Sequence, residues 1–368
     1  MRLLRRALTF LVAALAAAGV LAVPSVASAA PRPGAVYALS NPTTSNAVIE
    51  YARAANGALT LRNTYPTGAL GTGSGLGSQG AVVLDETASY LYAVNAGSDS
   101  ITSFRVRPRG LEVVGTVASG GLRPTSITVH RGLLYVLNAG DPGTISGFTV
   151  HQGVLTPIAN STRPLSGAGT NPAQVSFTPD GRQLVVTERA TNQLDLYSVD
   201  GAGLASAPTV VPSAGQTPFG FEFDARGHLI VSEAFGGEID ASAVSSYDVG
   251  TGTLQVVSPS VPTTETAACW IATTENGRYA YAGNTGSNSI SGYRVGNGGS
   301  LTLLTPDGRT GVAAGAVTDL AMSAGSRFLY ARLGDGTVGA YQVRPDGSLE
   351  MLAPAPGLPT GAVGLAAF

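Results

Sequence analysis

The sequence predicts an all-β fold, a seven-bladed β-propeller whose ring is closed by the C-terminal strand completing the N-terminal blade. Three observations carry this. A short apolar strand recurs seven times: VYALS (36–40), LYAVN (91–95), LYVLN (134–138), LVVTE (184–188), LIVSE (229–233), AYAGN (280–284) and LYARL (329–333), at intervals of 43 to 55 residues. Most copies are followed by a Gly/Asn/Ser-rich turn and a second alternating strand, such as ITSFRV (101–106) or ISGYRV (290–295). The chain also opens on the second strand of a blade, at Val36, and ends on Ala362–Phe368, which reads as the missing first strand. Such closure removes the exposed sheet edges that template aggregation.

Each element follows in order. Residues 1–29 read as a secretory signal: Arg2, Arg5 and Arg6, then an apolar run from Ala7 to Val23, then Ala27-Ser28-Ala29 as a small-residue cleavage site. Residues 30–368 form the propeller. Strands such as QVSF (174–177) and GFEF (220–223) precede the apolar strand, joined to it by tight turns such as Pro179-Asp180-Gly181-Arg182. A short, variable fourth strand completes each blade, as at Leu301–Leu304. Four strands in some 48 residues make one blade, and seven blades leave no room for another domain.

Composition removes several chemistries. All 21 basic residues are Arg, which excludes a lysine Schiff base, a lysine general base and a P-loop. After loss of the signal, 18 basic residues face 23 acidic ones, so a nucleic-acid partner is not expected. A single Cys, Cys269, excludes an intrachain disulfide and a Cys-rich metal site. No stretch beyond the signal is long enough to span a membrane. The run Gly71-Thr72-Gly73-Ser74-Gly75-Leu76-Gly77 lacks a strand-to-helix context and reads as a flexible loop.

Candidate site residues come from the geometry of the predicted fold. Loops between strands four and one, and between two and three, converge at the top of the channel, the usual place for a ligand. Second-strand ends there supply Asn95, Asn138, Glu188, Glu233 and Asn284. Arg123, Asn171, Gln216 and Glu265 lie in the other set of loops, and Arg189 lies beside Glu188. Asn and Glu at strand ends also cap loops. Two carboxylates beside Asn would suit Ca²⁺ or Mg²⁺, but no ligand spacing is present and no cofactor is expected.

The unit PAQVSFTPDGRQLVVTERATNQLDLYSV (172–199) resembles the blade unit of the lactonase family, which includes 6-phosphogluconolactonases and carboxymuconate cyclases. LYAVNAGSDSITSFRV (91–106) and AYAGNTGSNSISGYRV (280–295) fit it too, and also resemble the tyrosine-valine-threonine-asparagine repeats of microbial surface proteins. The resemblance implies a seven-bladed propeller and a lactone-hydrolase site. Residue by residue, Glu188 matches the family's acid, Gln174 replaces a His, Glu222 replaces a His, and Glu233-Ala234 replaces Asn-Arg. A phosphorylated substrate is not expected of an exported chain lacking these groups.

Two functions are therefore expected from the sequence. The first is a secreted propeller binding a small molecule, glycan or extracellular protein at a central pocket lined by Arg123, Asn138, Gln174, Glu222, Glu233, Asn95 and Asn284. The alternative is a secreted lactone hydrolase acting on an unphosphorylated lactone. There Glu188 would activate water, and Arg189 or Arg123 would stabilise the oxyanion.

Overall fold

The computed structural model describes residues 34–368; the secretory signal read over residues 1–29 lies outside the described residues. The described chain is a seven-bladed β-propeller of antiparallel sheets. Blade 1 comprises Gly34–Leu39, Ala47–Arg53 and Leu59–Pro66, with Val363–Ala367 as its innermost strand. The innermost strands of blades 2 to 7 are Val82–Leu84, Pro124–His130, Pro172–Phe177, Pro218–Phe223, Ala268–Thr273 and Val317–Met322. Each packs on the innermost strand of the blade before and after it, so the ring is continuous.

The recurring apolar strand has a structural reason. The first residue of each copy (Val36, Leu91, Leu134, Leu184, Leu229, Ala280, Leu329) sits opposite one aromatic residue on the third strand: Tyr51, Phe104, Phe148, Tyr197, Tyr247, Tyr293 and Tyr341 respectively. All seven aromatics are at most 1% exposed. Cross-strand apolar pairs of this kind are the unit of sheet stability. Four of the tyrosines also tie their blade to the outer segment of the preceding blade. Tyr51, Tyr197, Tyr293 and Tyr341 donate to the carbonyls of Pro356, Pro164, Val261 and Val312 at 3.0–3.2 Å. A buried phenol needs such a partner, and here the partner holds neighbouring blades together.

Closure at the C-terminus follows the same logic. Val363–Ala367 pairs with Gly34–Leu39 through Val36↔Ala367, Tyr37↔Ala366 and Leu39↔Val363. It also packs on the innermost strands of blades 7 and 2. Phe368 stacks on Tyr37 with ring centroids 6.3 Å apart, and its carbonyl accepts from Arg53 Nε at 3.1 Å. Removing residues 362–368 strips Val363 and Leu365 from the core, at about 1.5–3 kcal/mol each, and exposes two strand edges. We expect the truncated chain to melt about 5 °C or more below the full chain, since 1 kcal/mol shifts Tm by roughly 1–2 °C at this size. A loss of a degree or two would mean the last strand does not close the ring.

Candidate functional site

The second-strand ends are occupied by their own blades and by the segments beside them, as where Asn95 Oδ1 accepts from Asn46 of blade 1. Asn95 is fully buried and donates to Ser100 Oγ at 3.2 Å and Thr102 Oγ1 at 3.0 Å. Asn284 repeats this with Ser289 and Ser291 at 3.0 and 2.9 Å. Asn138 lies against Thr144 and Ser146 of its third strand. Glu233 accepts from Gly215 N, Ser245 Oγ and Ser260 Oγ. Glu188 accepts from Ser166 N and Oγ at 2.9 and 2.6 Å and from Thr191 Oγ1. The Asn side chains and Glu233 face the third strand, while Glu188 meets Ser166 ahead of its blade and Thr191 in its hairpin turn, so Glu188 and Glu233 share no donor. A sequence signal exists: hydroxyl residues stand five and seven places after Asn95 and Asn284, one β-hairpin away.

Gln174 and Glu222 act between blades. Gln174 exchanges two hydrogen bonds with the backbone of Phe221, Nε2 to the carbonyl at 2.9 Å and Oε1 from the amide at 2.8 Å. Glu222 Oε2 accepts from Thr273 N and Oγ1 at 3.0 and 3.1 Å. Ser126 and Thr128 accept from Val175 N and Phe177 N. Thus side chains of the innermost strands of blades 3, 4 and 5 bind the backbone of the next blade, satisfying groups that a sheet ladder cannot reach.

The channel mouth is filled by the chain itself. The glycine-rich segment read as a flexible loop is held in place at both ends. Asn41, with φ 60°, bonds Ser74 O, Thr72 N and Gly361 O through its side chain. Further on, Leu76 is buried, Ser78 Oγ donates to Thr125 O of blade 3, and Trp270 Nε1 of blade 6 donates to Ser78 O at 3.2 Å. Gln79 N donates to Ala173 O of blade 4. Its side chain exchanges two hydrogen bonds with the backbone of Ile271 in blade 6, at 2.7 and 3.0 Å. Gly220 of blade 5 is small for this reason, since a Cβ there would lie 2.2 Å from Gln79 Oε1. Sequence reasoning read the glycines as freedom because their partners are some 200 residues away.

At the blade 3–blade 4 side of this mouth sits Arg189. Its Nε and Nη2 donate to Asn171 O and Oδ1 at 3.0 and 2.6 Å. Its guanidinium lies 4.8 Å from the centre of the Phe219 ring, which in turn packs on Trp270 at 5.1 Å. Asn171 holds φ 48°, a left-handed conformation that Asn tolerates, and this turns its side chain to the arginine. Burial disfavours the Arg189 charge, and Arg123 adds repulsion. Among the described residues, neither guanidinium pairs with a carboxylate, although the Arg123 backbone N donates to Asp99 Oδ1 at 2.7 Å. Asn171 also lines a cleft of about 200 Å³ between the loops Ala139–Gly143 and Gly169–Pro172. The sequence places Asn171 in the same set of loops as Arg123; Phe219 was not a candidate and reads as core from its pattern.

Several acids lie deep in the ring. Asp195 is fully buried beside Glu188. Burial and then the Glu188 carboxylate push its pKa up to about 8. Burial raises Asp319 to about 8 and Glu222 to about 7. Among the described residues, no cluster of three or more His, Cys, Asp and Glu could hold a metal ion. No helix among them is long and apolar enough to cross a membrane.

A family profile described as "Lactonase, 7-bladed beta-propeller" matches residues 34–164 and 143–269. No curated protein matches the chain in sequence. Several solved structures match in shape. A Lactobacillus plantarum protein superposes with TM-score 0.73 at 18% identity, covering 92% of this chain and 100% of its own. The periplasmic gluconolactonase of Pseudomonas aeruginosa gives 0.71 at 17% identity, over 90% and 99%. A Bacteroides uniformis protein proposed to be a 6-phosphogluconolactonase gives 0.71 at 15% identity, over 92% and 100%. At these identities the likeness speaks for the fold.

The buried acids set a pH dependence. Asp195, Glu222 and Asp319 hold protons in the folded state at pH values where the unfolded carboxyls are ionised. The folded state therefore binds more protons, and stability falls as pH rises from about 4 through the folded values near 7 and 8. We expect a higher urea midpoint at pH 5.5 than at pH 8.5. Asp195→Asn keeps the donor to Glu188 without the ionisable proton. It should raise the midpoint at pH 8.5 and leave it nearly unchanged at pH 5.5. An equal effect at both values would contradict the raised Asp195.

Proposed function

Because this chain belongs to the lactonase family of seven-bladed β-propellers, we propose that it is an exported member that binds a small sugar-acid-like anion without hydrolysing it. The site in this reading is the blade 3–blade 4 side of the channel mouth. Export rests on the signal-like residues 1–29. The observation that carries the reading is Arg189, a half-buried cation that has no carboxylate partner among the described residues and is held in orientation by Asn171 and Phe219. A buried charge left unpaired is costly. An incoming carboxylate offsets that cost through a charge-assisted hydrogen bond, and Arg123 adds positive potential nearby. The cleft under the 139–143 loop leaves room for a hydroxylated chain.

The acids favour binding over hydrolysis. Each oxygen of Glu188 and Glu233 already accepts at least one hydrogen bond from its own blade or from the connector that leads into it. A general base must reach the water it activates, and Glu188 has 0% exposure. The alternative, lactone hydrolysis with Glu188 as base and Arg189 or Arg123 at the oxyanion, is favoured by the likeness to a periplasmic gluconolactonase. The two readings differ in one set of assays.

Gluconate binding to the signal-free chain, followed by calorimetry, should weaken tenfold or more in Arg189→Gln, since a hydrogen bond to a charged group contributes about 1.5–3 kcal/mol. Aldonolactones and muconolactones should not be turned over above the uncatalysed rate. Glu188→Gln should lower Tm and leave gluconate binding intact. Turnover abolished by Glu188→Gln in a chain that stays folded would establish the hydrolase instead.

A further inference from the structure

The segment Gly71–Gly80 covers the surface to which the proposed ligand would bind. Gly77 lies so close to Arg189 that a Cβ on it would sit 2.8 Å from Nη1, the one guanidinium nitrogen that Asn171 leaves free. Residues 78–80 lie among the innermost strands of blades 3, 4, 5 and 6 and touch all four. The segment thus occupies the concavity where a propeller ligand is expected.

Its attachments are polar almost throughout, and of a kind that can be exchanged with water. Leu76 is its one buried apolar side chain. The rest of the grip is hydrogen bonding: Pro42 and Asn41 anchor Gly71 to Ser74 at the stem, Ser78 bonds Thr125 and Trp270, Gln79 bonds Ala173 and Ile271, and Gly80 O accepts from Ile127 N. Each such bond nets little against water. The stem is built to bend. Gly73, Ser74 and Gly75 are exposed, Gly73 has φ 76°, and a Cβ on Gly75 would meet nothing within 4 Å. Segments with little apolar burial and exposed backbone open at low free energy. Such segments form the lids over many binding sites.

We propose that residues 71–80 are a strap that holds the mouth of the channel shut over Arg189 and lifts to admit an anionic ligand. This rests on the reading of Arg189 as the anion-binding group. Opening breaks the Gln79–Ile271 pair and the Trp270–Ser78 bond, and uncovers the Arg189–Phe219–Trp270 surface. Closing replaces the ligand with Gly77. The strap therefore competes with the ligand, and weakening it tightens binding.

The sequence supplies its own reporters, since Cys269 and Trp270 are the single Cys and single Trp of the chain. Cys269 is 7% exposed, and its carbonyl lies 2.6 Å from the position of a Cβ on Gly220, beside Gln79 Oε1. Labelling of Cys269 by N-ethylmaleimide in the native protein, read by mass, follows the strap. The full chain should label at a rate that low urea does not change, showing local opening. Gln79→Ala should label roughly tenfold faster or more, from the loss of two buried hydrogen bonds. Trp270 emission should shift to the red in the same variant. Gly75→Ala fits the closed backbone and stiffens the open stem, so it should label about two- to fivefold more slowly. It also covers the case in which Gln79→Ala does not fold. Labelling that tracks global unfolding in the full chain and in both variants would overturn the strap. Gluconate titration separates the two claims. Tighter binding in Gln79→Ala supports both. Faster labelling without gluconate binding to any form keeps a mobile strap and removes the anion reading. Gluconate binding with equal labelling rates in all three proteins removes the strap and keeps the anion reading.

Discussion

The pairing of Val363–Ala367 with Gly34–Leu39 is the contact on which the rest of the molecule depends. Seven twisted sheets meet around an axis, and each innermost strand is supported by two others. If the first and last strands part, two innermost strands lose a neighbour, and the polar bonds between blades lose their geometry. Those bonds are specific. Gln174 grips Phe221, Glu222 grips Thr273, and Gln79 reaches past three blades to Ile271. Each uses a side chain to satisfy backbone that faces the channel, where no ladder partner exists.

The same constraint explains what became of the acids. A strand end at the mouth of a closed ring is crowded by its own hairpin, so Glu188 and Glu233 turn toward third-strand and loop hydroxyls and amides. Asp195 sits opposite the second strand at Val186 and near enough to Glu188 to keep its proton near neutral pH. Acids arranged this way stabilise the blade under mildly acidic conditions and are poorly placed to meet water. The cations differ. Arg189 is held by an amide and an aromatic face, neither of which neutralises it, and the proposed anion site rests on that.

Most of the fold was legible in the sequence, because one residue in each blade carries the period. Val36, Leu91, Leu134, Leu184, Leu229, Ala280 and Leu329 each sit opposite a buried aromatic, and that repeated pair fixes both spacing and strand order. The C-terminal closure was legible for the same reason. The mouth was less so. Asn95 and Asn284 read as lining residues because a strand end points to a loop. The hydroxyls five and seven places on, which claim them, carry no apolar period. The run Gly71–Gly77 read as slack, since the residues that hold its continuation at Gln79, namely Ala173, Gly220 and Ile271, are distant in sequence and meet only after the ring closes. Arg189 and Asn171 were both placed at the mouth, but not their contact with each other or with Phe219. Asn171 acts through a left-handed backbone, and Phe219 through a ring that patterning assigns to the core.

Hydrogen–deuterium exchange with and without gluconate bears most directly on the account as a whole. Gluconate should slow exchange in peptides that contain 139–143, 169–172 and Arg189, quicken it in 71–80, and leave the outer strands of all seven blades unchanged. Uniform slowing across the blades, or a strap that becomes more protected with gluconate bound, would contradict an anion site at Arg189 that the chain's own glycine segment keeps closed.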